Sequence, residues 1–228
     1  MAVELTVGSV VGIVMSSTVL SAVVNGWVTW RLKRGDRKRE DAANAKRRVL
    51  AYRDAAYSLE AFAKQCDDYC DGIDQALPEY RAHDMQAFDL LDPIHLRFEL
   101  PSESVASELN AERIDQLRHF REGLGLSTAW VAGQHHWTGK DDEYEFEVQR
   151  AIYFGSEACR LANAIRAEVG IEPYRMTATY LAAFEARFDE LALRYAKRKG
   201  RLALIPELEP RMTGRHPDLP AAESEGDL

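Results

Sequence analysis

Cys66 and Cys70 stand four residues apart in KQCDDYCDG, a spacing that puts two side chains on one face of a helix. Two thiolates so placed can supply two corners of a zinc tetrahedron. Both also fall on an apolar heptad seam, where a free cysteine packs as a small hydrophobe. No second ligand pair lies at a recognisable spacing, so the core role is the expectation. His135 and His136 in GQHHWTGKDD form the densest polar-aromatic cluster. They read as a solvated turn at a helix end, with a pH-sensing or metal-binding tip as the sharper alternative. Asp67, Asp68, Asp71 and Asp74 spread around the helix as a solvated acidic side.

Known catalytic patterns are missing. No Glu precedes any of the six histidines by three residues, so the ExxH pair of a di-iron bundle is absent. There is no GxxxxGK[ST], no GxGxxG after a strand, no GxSxG and no HExxH. The sequence assigns no catalytic residue, no metal and no cofactor.

What could position such residues is helical. Ala, Leu, Glu and Arg dominate the body of the 228-residue chain, a composition that favours helices. Val49, Tyr52, Ala56, Leu59, Ala63, Cys66, Cys70, Ile73 and Leu77 follow an unbroken three-four alternation. Pro78, Pro93 and Pro101 then predict a long, partly packed connection. Ile114, Leu117, Phe120, Leu124 and Val131 outline a second helix; Val148, Ile152, Gly155, Cys159 and Ala162 a third; Leu181, Phe184, Phe188, Leu191 and Tyr195 a fourth. Short turns between the last three predict an antiparallel four-helix bundle over residues 49–200. Pro206, Pro210, Pro217 and Pro220 predict a disordered tail over 201–228, in which LALIP is a possible docking segment.

The N-terminal stretch decides location. From Leu5 to Trp30, 26 consecutive residues carry no charge. As a helix they cover about 39 Å, more than the ~30 Å hydrocarbon core. A cleaved signal peptide has a basic leader and a core of ~7–15 residues; MAVE offers no basic residue. The expectation is an all-α chain with a single transmembrane anchor over 1–30 that continues into the bundle. Gly8, Gly12 and Ser16 are small residues four apart, a candidate homodimer seam in lipid.

Residues 31–48 hold nine basic and three acidic residues, a net of +6, which leaves −13 on residues 49–228 of a chain whose total is −8. An acidic body of that size repels a nucleic-acid backbone, so no nucleic-acid partner is expected. Arg31, Lys33, Arg34, Arg37, Lys38 and Arg39 instead fit the positive-inside bias and anionic lipid headgroups, with Trp27 and Trp30 as an aromatic belt. This orients the N-terminus outside and the body in the cytosol, at the inner membrane. Three cysteines are too few for a disulfide framework and suit a reducing compartment.

Such a chain is expected to act by binding an unidentified cytosolic protein, as an adaptor, scaffold or signalling partner. The competing expectations are a membrane-acting effector of the phage lysis or defence type, and an enzyme whose site has no linear signature.

Overall fold

The computed structural model describes residues 7–84, 86–89, 91, 96–134 and 139–219; for residues 7–26, 28 and 32 this covers the backbone alone. All its regular elements are helices: α1 (Val7–Arg81), α2 (Glu103–Ala106), α3 (Ala111–Gln134), α4 (Lys140–Glu168), α5 (Arg175–Lys197) and α6 (Glu209–Arg215). The chain divides into two units, Met1–Arg48 and Val49–Leu228.

The first unit is helical from Val7, and every described side chain in it is exposed. Among the described residues no helix is long and apolar enough to cross a membrane. The run expected to span lies mostly outside them: Leu5 and Thr6 altogether, the stretch from Val7 to Gly26 and Val28 in their side chains. Gly8, Gly12 and Ser16, the expected seam, fall in that stretch.

In the second unit the three-four seam of α1 becomes core. Tyr52, Ala56, Leu59, Ala63, Cys66, Cys70 and Ile73 are fully buried, joined by Ala55, Phe62 and Tyr69. The helix runs through Pro78 instead of stopping before it. The missing N–H costs only one bond in the last turn, and the Pro78 carbonyl still accepts from Ala82 N at 3.0 Å. A Schellman cap then ends α1: Asp84 N–H donates to Glu79 O and His83, at φ 77°, donates to Tyr80 O. Gly170, at φ 69°, closes α4 in the same way through Ile171 N to Arg166 O.

The bundle is not the simple antiparallel one expected. Along α4, Glu145, Glu168 and Arg166 meet Arg81, Tyr52 and Glu60 of α1, so α1 and α4 are antiparallel. Phe146, Arg150 and Phe154 likewise meet Trp130, Thr128 and Phe120 of α3, and Glu145 and Arg160 meet Arg194 and Glu185 of α5. Helices α1, α3 and α5 are therefore parallel to one another, and α4 alone runs against them. The reason is the connection from residue 82 to 110, which returns the full length of the domain. Phe88 stacks on Tyr144, Leu91 reaches Gly72, Phe98 meets Phe62, and Asn110 N–H donates to the Tyr52 hydroxyl. Along residues 96–100 it is extended, with Leu96 and Phe98 buried and Arg97 and Glu99 exposed, the two-residue alternation of a strand laid on a core.

The tail expected to be disordered is folded through Leu219. Leu202, Leu204, Ile205, Leu208 and Met212 form a second core with Val131, Phe146, Leu191 and Tyr195. Burial of five apolar side chains, at about 1.5–3 kcal/mol each, outweighs the prolines. Pro210 lies in the first turn of α6, where its lack of an N–H costs nothing. Gln149 clamps the segment: its Nε2 donates to Ala203 O (3.0 Å) and its Oε1 accepts from Ile205 N (2.9 Å).

Two substitutions test this packing. A Cβ at Gly155 would sit 2.4 Å from Cζ of the fully buried Phe184, so Gly155→Ala is expected to cost about 1–3 kcal/mol despite its better helix propensity. Chemical denaturation reads that loss. Gln149→Leu strands the buried Ile205 N–H, at about 1–3 kcal/mol, and frees the part-buried Ala203 C=O. Hydrogen exchange of residues 201–212 should accelerate while α1 and α4 keep their protection.

Candidate functional site

The site is built around one buried arginine. Helix α4 packs against α1, α3 and α5, so positions that would face water on an outer helix are covered here. Arg150 is one of them, with its side chain 3% exposed. Its Nη1 donates to both carboxylate oxygens of Glu147 at 2.6 Å and its Nη2 to Thr128 Oγ1 at 2.5 Å. Thr128 in turn donates to Leu124 O at 2.8 Å, which orients the hydroxyl to accept. The Arg150 Nε has no acceptor among the described residues. Burying a guanidinium is costly unless its hydrogen bonds are met, and here one is left open.

Arg150 lines a groove of about 720 Å³, within the size range of small-molecule sites. Tyr69, Leu91, Leu96, Phe98, Leu124 and Tyr144 make its apolar walls, and Arg97, Glu99, Arg121 and Glu143 stand among its polar groups. Four segments meet there: α1, the extended connection, α3 and α4. Arg97, Arg121 and Glu99 are exposed and form no ion pair among the described residues. A second groove of about 550 Å³, lined by Phe120, Tyr153, Phe154 and Leu161, carries Arg113 as its lone Lys or Arg, and Glu168 holds that arginine at 2.9 Å.

Comparison with known proteins finds no match. No family model fits the chain, and neither a curated protein nor a solved structure matches it. The geometry alone carries the reading.

The residues singled out in the sequence fall elsewhere. Cys66 and Cys70 are fully buried in the main core together with Cys159. Burial pushes the Cys66 thiol well up, and its neighbours Cys70 and Cys159 push it further. Burial also raises Cys70 and Cys159 to about 12 each. Thiols held neutral this firmly are poor nucleophiles and poor metal ligands. Among the described residues no group of three or more His, Cys, Asp or Glu could hold a metal ion. His135 and His136 lie outside the described residues. Asp67, Asp71 and Asp74 converge on Arg187, at 3.6, 2.5 and 2.9 Å, while Asp68 pairs with Lys64. The acidic side of α1 is thus solvated as expected at Asp68, Asp71 and Asp74, and it also forms a docking edge for Arg187 of α5.

In the first unit Trp27 and Trp30 are 55% and 56% exposed. The Arg31 guanidinium lies 5.2 Å from the Trp27 ring centre and that of Arg34 5.2 Å from the Trp30 ring centre. Lys33, Arg37, Lys38 and Arg39 are exposed on the same helix. Arg150 and its groove had no sequence signal beyond a charged residue inside an otherwise apolar helical run.

The thiols give a pH prediction. Cys70 and Cys159 titrate near 12 in the folded chain against 9.0 when exposed. Above pH 9 the unfolded state loses these protons first, so stability falls with rising pH. Below pH 9 their contribution is fully present, and it is expected to drain away between pH 9 and 12. Denaturant midpoints across that window check it, with Cys159→Ala flattening the slope.

Proposed function

We propose that this chain is a single-pass membrane-anchored helical protein whose bundle acts by binding at the cytosolic face of the inner membrane, as an adaptor or signalling partner. The Arg150 groove is its ligand site. The observation that carries this reading is the pair of tryptophans, each more than half exposed and each stacked on an arginine one turn further along. In water that apolar surface is left unburied. At a bilayer boundary the rings enter the acyl edge and the guanidinium groups meet the headgroups.

The surrounding sequence supports the same placement. The 26 uncharged residues before the basic run are long enough to span as a helix. The net +6 of residues 31–48 favours the cytosolic side, each basic residue near an anionic surface adding about 1 kcal/mol. The −13 of the bundle keeps it off that surface and off nucleic acid alike. Gly8, Gly12 and Ser16 offer a face for pairing two copies in lipid.

Cell fractionation with a topology reporter fused at Leu228 tests the anchor. The full chain is expected in the membrane pellet, resistant to an alkaline wash, with the reporter on the cytosolic side. Deletion of residues 1–30 should release the bundle into the soluble fraction. Changing Arg31, Lys33, Arg34, Arg37, Lys38 and Arg39 together to Gln should give mixed orientation. A full chain recovered in the soluble fraction would overturn the proposal.

A further inference from the structure

We infer that the Arg150 groove takes a small organic monocarboxylate with an apolar body. This rests on the reading of that groove as the ligand site. The available charge sets the class. Glu147 is committed to Arg150 and Glu143 has a partner of its own. The groups left free are Arg97 and Arg121 against Glu99, an excess of one positive charge in a domain that is otherwise strongly acidic. A carboxylate, with one negative charge, neutralises that excess; a phosphate ester, at about −1.5 to −2, overshoots it.

Geometry places the head and the body. Arginine binds carboxylates through paired N–H groups, and two unpaired arginines line the groove from two different segments, Arg97 from the extended connection and Arg121 from α3. The buried Nε of Arg150 is a third donor without an acceptor. The Leu91, Leu96, Phe98 and Leu124 walls, with the Tyr69 and Tyr144 rings, take the apolar body. The second groove does not compete for such a ligand, because Glu168 already holds its arginine.

Titration of the full-length chain in lipid nanodiscs with octanoate and with 3-phenylpropionate tests this, using 1-octanol, 3-phenylpropanol and inorganic phosphate as comparison probes. Calorimetry reads the binding, and membrane association is measured on the same preparation. At least one acid is expected to saturate at one site per chain, about tenfold tighter than its alcohol and tighter than phosphate, a tenfold step corresponding to about 1.4 kcal/mol. Replacing Arg150 disturbs the core, so the exposed pair carries the mutational arm: Arg97→Ala with Arg121→Ala should weaken the acid about tenfold or more and leave the alcohol unchanged. Equal binding of acid and alcohol, preference for phosphate, indifference to the arginine pair, or no saturation by either acid overturns the inference. A membrane-bound chain that binds neither acid overturns it while leaving the anchor in place. A soluble chain that binds an acid through Arg97 and Arg121 supports it while removing the anchor.

Discussion

Helix α4 has neighbours on three sides, and the polar side chains it turns between them must find partners in place of water. That requirement organises the second unit. Arg166 meets Glu60 in a two-bond fork at 2.6 and 2.8 Å, and that hydrogen bonding raises the arginine's affinity for its proton. Gln149 satisfies two backbone groups of the C-terminal segment. Glu168, at the unfavourable negative end of its helix, accepts from Tyr52, Asn110 and Arg113. These partners lie on α1, on α3 and the residue before it, and on the C-terminal segment, so the satisfaction of one helix fixes the placement of those three elements. Breaking such a buried pair from one side costs about 3–5 kcal/mol, whereas replacing both sides by apolar groups can be neutral. The pairs specify the arrangement more than they strengthen it.

Among the described residues of α4 the same constraint leaves Arg150 Nε and Asn163 Oδ1 short of a partner, and the chain's path brings the groove to the arginine. A bundle with short links throughout would have placed α3 directly after α1 and antiparallel to it. Returning by an extended segment instead puts a strand-like strip beside α1, with Phe98 edge-on to Phe62 and Phe120. Its alternation turns Arg97 and Glu99 outward beside the groove. The unusual connection and the candidate site are one feature.

Much of this was legible and some was not, for definable reasons. The seams of α1, α4 and α5 are written in the 3.6-residue period, and their positions from Tyr52 to Ile73 and Ile152 to Ala162, with Phe184, Leu191 and Tyr195, are core, while Phe188 is half-buried. Helix direction has no such period. It is set by the connection from residue 82 to 110, whose packing alternates by two along residues 96–100 and whose sequence is punctuated by prolines. The fold of residues 201–219 was hidden because Pro206, Pro210 and Pro217 speak for disorder locally, while the partners that bury Ile205 and Leu208 sit on α3, α4 and α5. Arg150 was hidden because a single sequence does not show that its helix is enclosed. The tryptophan and arginine run needed no fold to be seen, since composition alone marks it.

The fork between Glu60 and Arg166 joins residues 106 positions apart. At synthesis rates of ~5–20 residues per second, roughly 5–20 s pass between the emergence of the two side chains. Through that interval α1 has made its apolar stripe but has no α4 to cover it. The local pair α4 and α5 can close first, since its contacts are near in sequence and cheap to form. The central helix of the finished bundle is thus a late arrival, and the first helix out of the ribosome must wait, unburied, for the third long one to complete it.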